Sequence, residues 1–350
     1  MNTKILNTKG RIGAATILTL LLGTGSWMAA RSQQALSPTG DQRTPLVPTA
    51  GATKIGTAEI PILFASAIED EKVRAWVPTE PVQEVDLPLK GAVKVKWLSD
   101  HSGILAVENQ GPLVFRSYDR EKHQFGQAQS VAKTLGNPGA DYDLQITALQ
   151  DFAPSPDGAG LVFGDEKGVH LFDLKTGSDR LLLTRSTLNK RTDAPSYFAW
   201  SDDGKQVAFS VEGDEQIGLD QRDQLEELYT VNADGTGLRH VGQGFSASWS
   251  SDSRYIVAIY GGANFGRQLV RFDLQDGTQN VLRKTRLTTF TFVSYSPDGK
   301  QLAVVSATEP DGFLESLYLT TPNGQLERVL VPGRKMPPIV GGNLGSRADW

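Results

Sequence analysis

A short pattern that recurs along this chain constrains its fold more than any other feature. Its clearest copy is Phe198-Ala-Trp-Ser-Asp-Asp-Gly-Lys-Gln-Val-Ala-Phe209. Large residues alternate with small ones on the first arm, as in a half-buried strand. The central Asp-Asp-Gly favours a tight turn, because Asp accepts hydrogen bonds from nearby backbone amides and Gly tolerates positive φ. The pattern therefore predicts a β-hairpin, which needs further strands because a lone hairpin is marginal in water.

The hairpin pattern is repeated, and its spacing predicts the architecture. Further copies begin at Phe152, Ala247 and Val293, and a degenerate copy begins at Val95. The anchor residue of each copy, at the end of its first strand, is in chain order Trp97, Pro154, Trp200, Trp249 and Tyr295. Successive anchors are 46 to 57 residues apart, and each hairpin is followed by a third strand, a second turn and a fourth strand. A period of about 40–50 residues with four short strands is typical of a β-propeller blade.

The two ends of the repeat region complement each other. Segments 59–66, 72–77 and 82–87 predict second, third and fourth strands of a blade that lacks a first strand. Residues 346–350 resemble the beginning of a first strand, and pairing them with the N-terminal blade would hide the edges of an open array. We therefore predict an all-β, six-bladed β-propeller over residues 59–350, with four-stranded blades and a ring closed by the C-terminal strand. The competing interpretation is that the sequence stops just after a further motif begins.

The combined pattern has a family resemblance. An aromatic-Ser-Pro-Asp-Gly turn, a strand of the Val-Ala-Phe type and then Leu228-Tyr-Thr-Val-Asn-Ala-Asp-Gly-Thr-Gly237 resemble the repeats of the TolB-like (WD-type) β-propeller family. The resemblance covers residues 59–350. It implies a propeller that binds proteins or gates other domains, with motif residues that are structural. TolB has a further N-terminal domain for which this chain has no room, so a TolB role in an envelope-spanning complex is not implied.

The N-terminal region predicts export. Residues 1–30 carry Lys4, Lys9 and Arg11 before an uncharged stretch from Ile12 to Ala30. Two interpretations stay open: a cleaved signal peptide, or an anchor, since this stretch is long enough to span a bilayer. Both place the rest of the chain in a periplasmic or other extracytoplasmic space, and the second anchors it there through residues 12–30. Residues 31–57, rich in Ser, Thr, Pro and Gly, predict a flexible linker.

Composition excludes several classes of function. The chain has no cysteine, which excludes disulfides, thiolate metal sites, a cysteine nucleophile and a lipidated cysteine. Its formal net charge is −5, and the region after residue 30 is more acidic still. Nucleic acid and anionic membranes attract basic surfaces, so neither is the expected partner. We expect a monomeric propeller with a protein or peptide partner in the cell envelope, and membrane contact only through the N-terminal segment.

The predicted strand order separates two faces of the propeller. Turns from first to second strands and from third to fourth strands share the short-turn face. Connections from second to third strands and between blades share the long-loop face, which holds nearly all the variation in length. Binding residues are favoured on irregular loops held by a rigid scaffold. The predicted binding residues on the long-loop face are Asp141, Tyr142, Asp143, Asp214, Glu215, Arg222, Asn264 and Arg267.

Other candidate sites are weaker. The acidic loop at residues 212–223 could contact a basic partner or hold Ca²⁺, but its acids lack the alternate spacing of a calcium loop. The glycine-rich segment 261–266 lies between two strands, not between a strand and a helix, so it does not predict a phosphate site. The histidines fall on different blades without ligand spacing. The motif aspartates occupy equivalent turns around the ring, which indicates a structural role for Asp157, Asp203, Asp252 and Asp298. No catalytic residue, metal or cofactor is predicted.

Two functions from different classes remain. The first is an exported, non-enzymatic propeller that acts as a protein- or peptide-binding scaffold. The second is a propeller hydrolase, such as a lactonase or glycan-active enzyme, with its site at the central channel. The enzyme would need acids or metal ligands that converge from several blades, and the sequence identifies no such set.

Overall fold

A computed structural model of the 350-residue chain describes the predicted propeller region. The described residues are 60–65, 73–79, 81–89, 94–99, 101–107, 113–131, 151–174, 176–188, 194–216, 224–261, 267–284, 288–308, 314–335 and 347–349. They form β-strands and one short 3-10 helix, Arg185–Leu188. Within these ranges, no helix is long and apolar enough to cross a membrane. The predicted targeting segment and linker lie outside the described residues.

The strands form six antiparallel sheets, which we call blades 1 to 6. Blade 1 consists of β1 (Ile62–Ala65), β2 (Val73–Val77), β3 (Gln83–Val85) and β25 (Arg347–Asp349). Blade 2 consists of β4 (Lys94–Trp97), β5 (Gly103–Val107), β6 (Leu113–Asp119), β7 (Gln124–Phe125) and β8 (Gln129–Ser130). Blade 3 consists of β9 (Phe152–Pro154), β10 (Gly160–Asp165), β11 (Gly168–Asp173) and β12 (Asp179–Thr184).

The last three blades each contain four strands in chain order. Blade 4 consists of β13 (Ser196–Trp200), β14 (Gln206–Gln216), β15 (Gln224–Asn232) and β16 (Arg239–Gln243). Blade 5 consists of β17 (Phe245–Trp249), β18 (Tyr255–Tyr260), β19 (Gln268–Asp273) and β20 (Gln279–Lys284). Blade 6 consists of β21 (Thr288–Tyr295), β22 (Leu302–Thr308), β23 (Leu314–Thr320) and β24 (Leu326–Lys335).

The blades form a closed ring. First strands contact one another in the cyclic order β25, β4, β9, β13, β17 and β21. Blade 1 is completed from both ends of the chain, with Leu63 opposite Asp349 and Ala65 opposite Arg347. Both the six-bladed architecture and the closure by the C-terminal strand are therefore confirmed.

Packing between blades explains why the motif part of each second strand is mostly apolar. Val207, Ile256 and Leu302 are fully buried, and so are most of their strand neighbours. A strand that is covered on both faces reads as a continuous apolar run, not as an alternating one. The Val-Ala-Phe type of strand therefore marks the layer where each blade packs against both of its neighbours.

The same hydrogen bonds hold the turn in the four complete copies of the motif. In each of these copies the serine hydroxyl donates to the aspartate two residues later, at 2.8 Å from Ser201 to Asp203 and at 2.7 Å from Ser296 to Asp298. The same aspartate accepts the amide of a residue further along the turn, such as Lys205 N at 3.1 Å. Gly204 has a φ of 67°, which glycine adopts without steric cost.

Tryptophans in the motif join neighbouring blades. The indole Nε1 of Trp200 donates to the carbonyl of Ala153 at 3.1 Å, and that of Trp249 donates to Ala199 at the same distance. Each bond runs from one first strand to the first strand of the preceding blade. The recurrent aromatic residue therefore connects blades in addition to filling the core.

Arginines on the fourth strands provide a second connection, which sequence reasoning missed. Arg180 donates to the carbonyls of Ala233 and Asp234, at 3.0 and 3.1 Å. Arg239 donates to the carbonyl of Leu274 at 2.7 Å, and Arg328 reaches the carbonyl of Thr79. In each case the acceptor is the third-to-fourth turn of the following blade. The signal was an arginine at the same place in three repeats, but only the structure shows its acceptor.

Two strands extend beyond their predicted ends. The acidic segment 212–223 was predicted to be a loop, but β14 and β15 continue into it, with Glu212 opposite Glu226 and Gln216 opposite Gln224. Likewise β24 extends to Lys335, into the long connection that was expected to follow the fourth strand of blade 6. In blade 2, β8 pairs with the third strand β6, and the short strand β7 pairs with β6 as well. The extensions escaped detection because backbone pairing, which needs no apolar alternation, holds them together.

Candidate binding face

The structure tests the placement of few predicted binding residues. Asp141, Tyr142, Asp143, Arg222 and Asn264 lie outside the described residues. The backbones of Asp214 and Glu215 lie within β14, so they are on a strand and not on a loop as predicted. Arg267 immediately precedes β19 and is half-buried. These three residues lie at the ends of strands that face the long-loop side, on blades 4 and 5.

The hairpin of β14 and β15 is the most extended feature of this face. After their motif turns, β14 has 11 residues and β18 has 6. At about 3.3 Å per residue, β14 reaches roughly 16 Å further along the strand direction. The segment from Glu212 to Glu227 contains seven acidic residues and one arginine. The paired strands β14 and β15 therefore extend beyond those of blade 5, and the sequence of this region is acidic.

Arg267 forms a cluster with residues from three blades. Its guanidinium carbon lies 4.7 Å from the centre of the Phe245 ring, a cation–π geometry. Its Nη1 donates to the carbonyl of Phe290 at 3.2 Å. The ring of Tyr197 packs against Phe245 with centroids 5.3 Å apart. Since Tyr197, Phe245 and Phe290 belong to the first strands of blades 4, 5 and 6, the cluster joins three consecutive blades.

A β-bulge positions Tyr197 in this cluster. In β13, Ser196 pairs with Ser210 and Ala199 with Ala208, which leaves Tyr197 and Phe198 opposite a single residue. Tyr197 has a φ of 55°, an unusual conformation for a bulky residue. Bulges redirect side chains and are frequent at functional sites, and strained residues cluster at such sites as well. Here the bulge directs an aromatic ring from blade 4 towards blade 5.

Burial determines the electrostatics of Arg267. Desolvation lowers the pKa of its guanidinium, and the fields of Tyr197 and Glu226 act in the opposite direction. Its Nε is buried and has no hydrogen-bond partner among the described residues. A guanidinium still carries its charge in such surroundings. The cluster is therefore a positive centre that is only partly compensated by the residues around it.

The first strands below the cluster are tied together laterally. Asp151 Oδ2 accepts the amide of Phe198 at 3.2 Å, and Ser246 Oγ accepts the amide of Val293 at 3.3 Å. Tyr295 N donates to Ser248 Oγ at 2.9 Å. Each bond joins consecutive blades, so the cluster is supported by a cross-linked platform.

The histidines do not form a metal site in the part of the chain that the structure describes. There, no three histidine, aspartate or glutamate residues are grouped to hold a metal ion. His170 lies between Asp165 and Asp179, with ring nitrogens 2.9 Å from each carboxylate. The prediction that all histidines fall on different blades was wrong, because His101 and His123 both lie in blade 2.

Comparison with known proteins supports the fold. A TolB from Acinetobacter baumannii superposes with a TM-score of 0.54 at 15% identity, covering 83% of this chain and 66% of that one. A TolB-type protein from Agrobacterium tumefaciens superposes with a TM-score of 0.51 at 16% identity, covering 79% of this chain and 90% of that one. A chain of the nidogen/laminin complex superposes with a TM-score of 0.53 at 12% identity, covering 84% of this chain and 98% of that one.

These similarities confirm the predicted resemblance to TolB-type propellers at the level of fold. At such low identity they say nothing further about function. No protein-family model matches the sequence, and no curated protein matches it either. The chain is a six-bladed β-propeller whose fold is similar to that of TolB-type proteins.

Proposed function

We propose that this chain is an exported, non-enzymatic β-propeller that binds a protein or peptide partner in the cell envelope. The observation that carries the proposal is the asymmetry between its two faces. The short-turn face is built from repeated turns whose polar groups bond one another. The long-loop face has an extended acidic hairpin and, where three blades meet, a charged aromatic cluster. Arginine and aromatic residues are enriched at recognition surfaces.

The proposal includes the organisation of the whole chain. Residues 1–30 act as a signal peptide or anchor, residues 31–57 as a flexible linker, and residues 59–350 as the binding propeller. The linker lets the propeller reach a partner at a distance from the membrane. Cell fractionation tests this part, and recovery of the protein in the cytoplasm would contradict export.

Site-specific photo-crosslinking tests the binding face. A photoreactive amino acid is placed at Asp214 or Glu215 in β14, and, as controls, at Lys205 or Lys300 on the short-turn face. The control side chains are 78% and 79% exposed, so poor access cannot explain a negative result. We expect one protein adduct from the β14 positions and none from the controls. Equal adducts from both faces, or none from β14, would refute the proposed binding face.

A further inference from the structure

We infer that Asn323 is a site of spontaneous deamidation, and that the aspartate formed there makes an ion pair with Arg271 between blades 5 and 6. The reaction needs only solvent water. Its site is the third-to-fourth turn of blade 6, on the short-turn face, so neither step depends on the proposed binding face. The local sequence, the exposed turn, the equivalent turns of blades 4 and 5 and the charge of Arg271 support both steps.

The local sequence favours reaction at Asn323. Asn323 precedes Gly324, and this is the only Asn-Gly pair in the sequence. It lies in the turn between β23 and β24, where Asn323 is exposed. Deamidation begins when the backbone nitrogen of the next residue attacks the side-chain carbonyl carbon of an asparagine. Because glycine has no side chain to shield this nitrogen and has the widest backbone freedom, attack meets the least steric hindrance here.

The reaction balances with water as the only co-reactant. Hydroxide removes the proton of Gly324 N, which forms a bond to Cγ of Asn323. The Cγ–Nδ2 bond then breaks, and the leaving nitrogen takes a proton from water and departs as ammonia, which regenerates hydroxide. Water opens the resulting five-membered imide at Cγ and leaves a carboxylate, whose proton passes to solvent. Overall, one water is consumed and one ammonia is released.

The folded turn controls the rate. Gly324 N donates to the carbonyl of Thr321 at 2.8 Å, so this nitrogen can attack only while the turn is open. Exposed turns open locally at a lower free energy than the core strands do. The reaction therefore proceeds in the native protein, but more slowly than in the unfolded chain.

Aspartate fits this turn, because two other blades have it at the same place. Asp234 in blade 4 and Asp276 in blade 5 precede the turn glycine, as Asn323 does in blade 6. The three glycines have φ values of 90°, 73° and 78°. Each aspartate accepts the amide of the residue two positions later at 2.8 Å. The change from asparagine to aspartate therefore needs no change in the backbone.

The new carboxylate would meet an arginine that lacks a counterion. Arg271 Nη1 donates to Asn323 Oδ1 at 3.1 Å, and among the described residues no carboxylate forms an ion pair with it. Arg283 Nη1 donates to the carbonyl of Gly324 at 3.3 Å. Two guanidinium groups thus contact a turn, residues 321–325, that has no acidic side chain. Since hydrogen bonds to an ionised acceptor are the stronger ones, deamidation strengthens this contact between blades.

Asn280 provides a matched control. It is also exposed, and it lies on β20 directly opposite Arg271 in the strand ladder. The next residue is Val281, whose branched and stiff side chain shields the backbone nitrogen. Asn280 has the same exposure class and lies beside the same arginine, but it should remain intact.

Mass spectrometry tests the reaction. Freshly purified full-length protein is incubated at mildly alkaline pH in isotope-labelled water and then digested. We expect the peptide with Asn323 to acquire the label and the mass of an acid several-fold faster than the peptide with Asn280. N323Q, whose longer side chain would have to close a six-membered ring, should stay unmodified. Equal conversion at the two asparagines, or none at Asn323, would refute the site.

The product is tested in the same digests. Opening of the imide at the backbone carbonyl instead gives isoaspartate, which adds a methylene to the main chain. The turn has little room for it, because a carbon placed on Gly324 would lie 2.9 Å from Leu282 Cβ. Peptide mapping separates the two products, and accumulation of isoaspartate alone would refute the proposed product.

Melting temperatures test the ion pair. We expect N323D to melt about 1–3 °C higher than the unmodified protein, as for a partly exposed ion pair in a domain of this size. The gain should vanish in the R271Q background and shrink in about 1 M salt, where the Debye length is about 3 Å. No gain, or an equal gain in R271Q, would refute the pairing with Arg271. If R271Q does not fold, R271K provides the comparison, because it keeps the charge but loses the planar donor group, and it should reduce the gain.

Discussion

The polar residues on the two faces of the propeller differ in how completely their hydrogen bonds are satisfied. On the short-turn face, Asp203 and Asp252 accept hydrogen bonds from the serine and the amides of their own turns. On the long-loop face, Arg267 has a donor without a partner among the described residues. Polar groups that form hydrogen bonds within their own turn stabilise that turn. A buried donor without a hydrogen-bond partner does not stabilise the fold in this way, so its presence needs a different reason.

The two faces also differ in how often their features recur from blade to blade. Features of the short-turn face recur from blade to blade: the Ser–Asp turn, the tryptophan bond and the fourth-strand arginine. The cluster at Arg267 occurs once among the described residues, and the hairpin of blade 4 is the longest of the described hairpins. We interpret the repeated features as structural, because each blade uses them, and the features that occur once as candidates for recognition.

The strongest test of this contrast removes a tryptophan from the repeated set. Trp249 is only 4% exposed, and it packs with Leu228 and Ile256 in the cluster between blades 4 and 5. We expect W249A to lower the free energy of unfolding by about 3–5 kcal/mol through the cavity that it leaves. Denaturant unfolding followed by circular dichroism measures the change. W249F, which keeps most of the volume but not the Nε1 donor, should cost less, and a loss below about 1 kcal/mol in W249A would contradict the role of this residue.

A smaller loss of stability is expected when the hydrogen bonds of a fourth-strand arginine, which connect consecutive blades, are removed. R180A removes two hydrogen bonds to the turn at Ala233 and Asp234, which should destabilise the fold by roughly 1–2 kcal/mol. Thermal unfolding measures this loss. K205A, a neighbouring change on the same face at an exposed lysine, serves as the control. If the two variants are equally stable, the arginine bonds contribute nothing to holding the blades together.

The smallest effect concerns acid stability. The hydroxyl of Ser250, which donates to Asp252, holds the pKa of that carboxyl below its usual value. A group whose pKa is lowered by folding stabilises the protein above its unfolded pKa, about 3.9, and this stability is lost as the pH falls through the folded value. Unfolding measured between about pH 5 and pH 2 should therefore show a shallower loss for D252N than for the wild-type protein.

Asp202 provides a control of opposite sign. Burial raises the pKa of its carboxyl, with a contribution from the neighbouring Asp203. Its effect on stability is favourable at low pH and is lost as the pH rises. D202N should therefore make the acid-induced loss steeper. The same slope in both variants would show that the motif turns do not determine the acid response.

Sequence alone determined the repeated part of this protein. The motif positions, the period, the six blades and the closure through residues 347–349 follow from local turn chemistry and strand patterning, which are present in each copy. Asp203 and its equivalents could be assigned to turns because their hydrogen-bond partners lie within five residues. Strand ends were harder: the extension of β14 to Gln216 carries no apolar alternation and depends on pairing with β15.

Only the tertiary structure decided the contacts that cross from blade to blade. The acceptors of Arg180 and Trp200 lie about one repeat away in sequence, and no local pattern identifies which carbonyl they reach. Arg267 was predicted as a binding residue from its loop alone, and its partners Tyr197, Phe245 and Phe290 were not foreseen. They meet because ring closure brings three first strands together and a bulge turns one side chain towards the next blade. Such a site depends on distances through space, which the order of residues along the chain does not specify.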